Sequence, residues 1–301
     1  MKKKKHAFNK RTFTVLMAML LAFLSACEKE TVLPGDGREA YVNFYTAADA
    51  VLQGNLTQQN YIYINDSLAH PDYAQFPVFS ASADDFRTYP RYPAAALGVS
   101  DEIVVPIGTP YQTVYWMPVE NGNYRFIFTS ANKVYLHTNE VTLEPKSHMM
   151  QCLVESLEAD DAYRVVNVPI EPKGTKGKVR IQIVNLSPDA GALDVKRTDR
   201  SGNQLPDVLP ASLGFGEYST YAEIDTTGSA DTNGQILLRI RKHQTDKELM
   251  MVAVPAIPYS SFTVLFQGFE NATERRVKTG DNQYQSIQVQ PNLRVNLRRV
   301  Y

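Results

Sequence analysis

Two β-sandwiches in tandem, an all-β fold, are what this sequence predicts. Three observations carry the prediction. Short segments alternate in polarity, as in Ala40-Tyr-Val-Asn-Phe-Tyr45 and Tyr61-Ile-Tyr-Ile64, which is the period of a strand with one buried face. Gly, Pro, Asn or Asp separates most of these segments, and no window holds a sustained helical period. The second half of the chain also repeats the order of features found in the first.

Residues 1–39 stand outside this pattern. Lys2, Lys3, Lys4, Lys5, Lys10 and Arg11 open the chain without an acid. An apolar stretch from Phe13 to Leu24 and then small residues follow, the grammar of a secretory signal. About a dozen apolar residues fall short of the roughly 20 that a spanning helix needs. Leu24-Ser25-Ala26-Cys27 resembles the bacterial lipobox. That resemblance implies a signal peptide over residues 1–26 and cleavage between Ala26 and Cys27. It also implies a thioether-linked diacylglycerol on the Cys27 sulfur and a further acyl chain, such as palmitate, on the new amino terminus. Several chains on one residue make a stable anchor where one is marginal. Residues 27–39 then form a lipidated tether, with Pro34, Gly35 and Gly37 and no hydrophobic period. Glu28-Lys29-Glu30 resembles the acidic signal that exports Bacteroidetes lipoproteins. The implied location is the outer membrane, lipid-anchored and facing the cell surface.

The charge balance supports this setting. The whole chain has 31 basic and 32 acidic residues; removing the six basic residues before Cys27, and no acids, leaves 25 against 32, a net charge of −7. An acidic domain disfavours a nucleic-acid partner, which calls for a basic face. The two cysteines are Cys27 and Cys152. With Cys27 lipidated, Cys152 has no disulfide partner and is expected to pack as a small hydrophobe within Met149-Met-Gln-Cys-Leu-Val154.

Strand-like segments continue along the first sandwich, residues 40–172, and include Thr113–Val119, Asn123–Ser130, Lys133–Pro145 and Met149–Leu157. A polar link, Glu171-Pro-Lys-Gly-Thr-Lys-Gly177, precedes the second sandwich, residues 177–301. There Lys178–Val195 answers the opening of the first half. Ile236–Pro255 answers Tyr124–Pro145, and Tyr259–Glu270 answers Ser147–Glu158. A tandem duplication of one module accounts for this order. Arg180, Asn185, Ser187, Pro188, Asp189, Ala190, Asp194 and Val195 resemble the opening of the domain-of-unknown-function family 4397, and Phe262–Phe269 resembles its late strand. The resemblance covers about residues 177 to 300. The first half departs from it, with Thr46-Ala47-Ala48-Asp49 in place of the Ser-Pro-Asp turn. It implies immunoglobulin-like sandwiches in extracytoplasmic bacterial proteins and no activity. Ser187-Pro188-Asp189 itself reads as a turn in which Ser187 or Asp189 bonds nearby amides.

The chain offers little chemistry. His70, His137, His148 and His243 are scattered, none at metal-ligand spacing from another or from a cysteine. Gly-x-Ser-x-Gly is absent. Ser130-Ala-Asn-Lys133 matches Ser-x-x-Lys in letters but joins two strands and reads as a hairpin turn. The expectation is therefore no enzyme, no catalytic residues, no metal and no cofactor. Asp66-Ser67-Leu68 and Asp225-Thr226-Thr227 fit the short O-glycosylation pattern of exported Bacteroidetes proteins, with Ser67 and Thr226 as acceptors. Tyr73, Phe76, Phe79, Phe86, Tyr89 and Tyr92 crowd a proline-containing segment, and Trp116 follows. Either they pack on their own sandwich, or Tyr73, Phe79, Phe86, Tyr89, Tyr92 and Trp116 present a surface to a glycan or protein. Two functions remain: a lipid-anchored protein that binds or assembles at the cell surface, and a fimbrial component. The second follows from a resemblance to Bacteroidetes pilins. Cleavage near Arg38 would mature the chain, and loss of the first strand would open a groove for a neighbour's strand.

Overall fold

The computed structural model describes residues 37–54, 61–64, 79–80, 111–114, 116–130, 134–199, 201–206, 209–228, 230–231, 233–280 and 283–301. The first half contributes β1 (Glu39–Thr46), α1 (Asp49–Gly54), β2 (Tyr61–Ile64), β3 (Phe79–Ser80), β4 (Gln112–Thr113), β5 (Met117–Glu120), β6 (Gly122–Thr129), β7 (Tyr135–Leu143), β8 (His148–Glu155) and β9 (Tyr163–Ile170). The second contributes β10 (Lys178–Asn185), β11 (Leu193–Thr198), β12 (Ala222–Asp225), β13 (Gln235–Lys242), β14 (Glu248–Pro255), β15 (Ser261–Gln267), β16 (Thr273–Gly280), β17 (Gln283–Val289) and β18 (Arg294–Arg299). Nearly every described element is a strand, as the alternation predicts.

The two halves share one pairing scheme. In the first, the sheet order is β5-β1-β8-β9, with β1 parallel to β8 and antiparallel to β5. In the second it is β12-β10-β15-β18-β4, with β10 parallel to β15 and antiparallel to β12. Each sheet faces a second one, β3-β2-β6-β7 and β11-β13-β14 respectively. Alternation along β1 places Ala40, Val42 and Phe44 in the first core, with Ile62, Phe126, Phe128 and Leu153. Val179, Ile181 and Ile183 of β10 enter the second core, with Leu238, Val254, Phe262 and Phe266.

A third core lies between the sandwiches. The other faces of β1, β8 and β9 supply Tyr45, Met150, Cys152, Val154, Val166 and Val168, and those of β10, β15 and β18 lead to Val184, Leu186, Leu265 and Val300. Both central sheets are therefore buried on both faces, with polar side chains such as Gln182 and Thr263 among the apolar ones, and the strands stack in four layers. This explains the near-continuous apolar run of Met149–Val154 and the burial pattern of β10. Cys152 is fully buried and unpaired, and burial pushes its thiol up to about 12.

The link at 171–177 separates the strand order but not the packing. Residues 37–301 form one compact unit. Strand β4 pairs with β18, where Arg298 and Arg299 lie opposite Gln112 and Thr113, and Tyr111 packs edge-on to Phe262. The link itself is fastened down. Arg180, on the register position that Tyr41 occupies in β1, donates to the Glu171 and Lys173 carbonyls at 3.1 and 3.2 Å and to the Glu171 carboxylate at 2.7 Å. Gly174 is wedged so closely that a Cβ would stand 2.2 Å from the Tyr259 carbonyl oxygen.

Three features depart from the sequence reading. Helix α1 exists, but six residues are too few to show a period, and packing sustains it. Ala50 enters a small core with Phe269, Val277 and Val289, formed by the β16–β17 hairpin of the second half. Strand β9 and that hairpin carry no clear alternating signal, because β9 is interrupted by Asn167 and Pro169 and β17 opens on the polar run Gln283–Ser286 before Ile287 and Val289 reach the small core.

Candidate interaction surface

The sequence singled out residues that the fold does not gather into one site. Ala26, Cys27, Ser67, Tyr73, Phe86, Tyr89 and Tyr92 lie outside the described residues. Phe79 falls in β3, opposite Ile62. Trp116 is half-buried against the inter-sandwich core, edge-on to His148 at 5.0 Å, and His148 stacks on Tyr41 at 4.5 Å. Burial holds the His148 imidazole below its ordinary pKa. Trp116 thus belongs to the join between sandwiches. Thr226 donates its hydroxyl to the Gly177 carbonyl at 2.8 Å, in the partly exposed turn after β12.

The Arg180–Val195 motif braces its own module. Asn185 is fully buried and donates to the carbonyls of Gly191 (2.9 Å) and Leu213 (3.1 Å), while its side-chain oxygen accepts from the Ser187 amide. The Ser187 hydroxyl donates to the Gly268 carbonyl at 2.7 Å. Asp189 accepts from the amides of Glu270 (2.6 Å) and Asn271 (2.8 Å). The turn therefore holds a strand end distant in sequence, where local amides were expected. Asp194 accepts from the Ser212 amide (2.9 Å) and from His243 Nδ1 (2.8 Å). These bonds hold its carboxyl below the usual range against the desolvation that opposes them. They also account for the left-handed backbone of Ser212, φ 57°. The Asp-His pair is thus bound into loop architecture.

At the matching place in the first half, Asp49 and Glu155 are both buried. Arg294 grips Asp49 at 2.6 and 3.2 Å, and Glu155 Oε1 accepts the Ala50 amide at 2.7 Å. Burial, with Asp49 beside it, pushes the Glu155 carboxyl up to about 8. Arg275 lies next to it and donates to the Ala159 and Ala162 carbonyls at 2.9 and 3.0 Å. This cluster joins α1 to the β16–β17 hairpin.

An open hollow of about 570 Å³ lies over the β6–β7 hairpin, lined by Asn123, Tyr124, Arg125, Glu140, Val141 and Thr142. Register places Asn123 opposite Thr142, Tyr124 opposite Val141 and Arg125 opposite Glu140. Phe126 and Phe128 point into the core, so alternation turns Asn123 and Arg125 outward with Glu140 and Thr142. Thr142 donates to Asn123 Oδ1 at 2.7 Å. Tyr124 stacks on Phe126 at 5.4 Å and donates its hydroxyl to the Glu120 carbonyl at 2.9 Å. The volume lies within the range of small-molecule sites, and the lining offers amide, hydroxyl, guanidinium and carboxylate groups. The signal was legible in Asn123-Tyr-Arg125 and Glu140-Val-Thr142, whose outward positions are all polar. Among the described residues no three His, Cys, Asp or Glu side chains come together to hold a metal ion.

Residues 87–196 match the family model described as Domain of unknown function (DUF4397). The DUF4397 match ends on the Arg180–Val195 motif and otherwise lies in the first half, whereas the sequence reading centred the resemblance on residues 177–300. The pairing scheme explains how such a window arises. Strands β10 and β11 follow β9 as the next module's counterparts of β1 and β2, so a window that starts inside one module closes on the opening strands of the next. No curated protein matches the sequence.

Proposed function

We propose that the protein is a lipid-anchored, extracytoplasmic, surface-facing binding protein without catalytic activity, and that the hollow over β6–β7 is its ligand site. The hollow is the observation that carries the reading. It joins convergent hydrogen-bonding side chains to a hairpin whose other face is locked into the core, so the site is held without ordering cost. The leader ending in Leu24-Ser25-Ala26-Cys27 supports anchoring, and the net charge of −7 after its removal suits a body held off an anionic membrane. A glycan or a polar protein segment is the class of partner that such groups recognise. The fimbrial alternative has less support. Strand β1 is interior, between β5 and β8, so a cut near Arg38 leaves the sandwich closed, and losing β1 would remove part of two cores.

Glycan-array binding by the intact protein tests the ligand site. Asn123→Ala, Glu140→Gln and Thr142→Ala change exposed side chains and should abolish a binding signal without shifting the melting temperature. A signal indifferent to all three would refute the site. Intact mass of protein from the native host, compared with Cys27→Ala, tests the lipid. Proteinase shaving of intact cells tests the surface, with protection counting against it.

A further inference from the structure

We propose that β14 is a self-association edge, through which two copies of this chain join the β11-β13-β14 sheets across a twofold axis. The inference is independent of the hollow. It rests on an edge that the fold leaves open and apolar. The sheet ends on β11 at one side and β14 at the other. The β11 side is closed: Leu193 bridges Leu213, Val195 bonds the Pro210 carbonyl, and Arg197 accepts from Leu205. The β14 side has no neighbour among the described residues.

The ladder fixes which backbone groups face outward. Ala256 donates to the Gly234 carbonyl at 2.8 Å, beyond the pairs Gln235–Pro255, Ile236–Val254, Leu237–Ala253, Leu238–Val252 and Arg239–Met251. Antiparallel pairs alternate between bonded and non-bonded. Val254 and Val252 therefore bond β13, and the amides and carbonyls of Met251 and Ala253 point away from the sheet. Neither residue has a hydrogen-bond partner at those groups among the described residues.

Natural edges are guarded by charge, proline or bulges. In β14, Pro255 occupies the last outward position and Glu248 opens the strand, but between them Leu249-Met-Met-Val-Ala-Val254 carries no charge and no proline, and Met251 is 54% exposed. A register irregularity near Ile240 and Arg241 affects only the start of the strand. The corresponding edge strand of the first sandwich, β7, shows Thr138, Glu140 and Thr142. Of these two edges among the described residues, β14 is the one suited to pairing.

Self-complementarity and charge select a second copy as the occupant. A twofold axis at Val252 sets Met251 of each copy opposite Ala253 of the other, which brings outward groups onto outward groups. Glu248 then meets no acid at the facing position, Ala256, and it is already paired with Arg239 at 2.5 Å, as Lys247 is with Glu270. Isologous closure of this kind satisfies both edges and ends at a dimer.

Sedimentation velocity on the full chain, purified from membranes in detergent, tests the proposal. A concentration-dependent dimer is expected. Ala253→Pro removes an outward amide while leaving the β13 ladder intact. It should weaken the dimer by about fivefold or more, since each copy loses one net hydrogen bond across the seam. Met251→Lys should abolish the dimer and Leu157→Lys, an exposed position elsewhere, should leave it unchanged. Melting temperatures report that the variants remain folded. A wild-type chain that stays monomeric overturns the proposal, whether its edge then takes another protein's strand or nothing. So does a dimer indifferent to both edge substitutions, or open-ended aggregation.

Discussion

Replacing Glu155 with Gln should remove a pH dependence of stability that the wild-type protein carries between about pH 4.5 and 8. Glu155 ends β8 fully buried, with its Oε1 on the Ala50 amide at 2.7 Å. Around it stand Asp49 and Arg275, with Tyr163 and Arg294 near enough to feel its charge. Burial, then the Asp49 carboxylate, raise its folded pKa to about 8, against an ordinary value of 4.5. The folded state thus holds the proton more tightly than the unfolded chain, and unfolding in this window releases it. The stabilising contribution is complete below about pH 4.5, falls as the pH rises, and is lost above 8. The slope is somewhat over 1 kcal/mol per pH unit, so about 2 to 3 kcal/mol should disappear between pH 5 and pH 7. Gln keeps an oxygen for the Ala50 amide and cannot ionise. Urea unfolding of both proteins at half-unit steps, expressed as the difference between them, isolates Glu155 from histidines that titrate in both. The variant should gain on the wild type steadily from pH 5 to 7.5 and be the more stable at neutrality. A constant offset across that range, or a wild type that gains with rising pH, would refute the reasoning.

Two further outcomes follow from close contacts. Gly174→Ala drives a Cβ against the Tyr259 carbonyl and the Tyr301 ring, so the link must shift; a loss of about 1 to 3 kcal/mol is expected in chemical unfolding. Ser187→Ala leaves the buried Gly268 carbonyl without its 2.7 Å donor and should cost about 1 to 3 kcal/mol, measured in the same way.

Alternation identifies β1, β2, β6, β7, β13 and β14, because each buries one face, while β8, β10 and β15, buried on both faces, are legible as short apolar runs between turn residues. The duplicated order was legible for the same reason, as Tyr41 and Arg180 holding one register position attests. What stayed hidden depends on tertiary partners. Helix α1 has no intrinsic signal and exists because Ala50 fits beneath Phe269 and Val277. Trp116 looks like an exposed anchor in a list of aromatics, yet its environment is set by His148 and the face of β8, which no local pattern encodes. The hollow over β6–β7 was readable in principle, since outward residues of a hairpin alternate, but its concavity was not. The Arg180–Val195 motif was recognised as a turn, and the structure sharpened it into a brace between segments some eighty residues apart.

The third core has a consequence for how this protein can change. A duplication ordinarily yields exchangeable parts, each able to be lost, copied again or moved to another gene. Here the first half carries α1 where the second carries its Ser-Pro-Asp turn, and the second half's β16–β17 hairpin packs against α1. Strand β4, from the first half, pairs with β18 in the second half's sheet. A chain cut at the link would expose Val184, Leu186, Leu265 and Val300 on one side and Met150, Cys152 and Val168 on the other. The two halves are bound to a common fate, since a substitution at their shared core is felt by both.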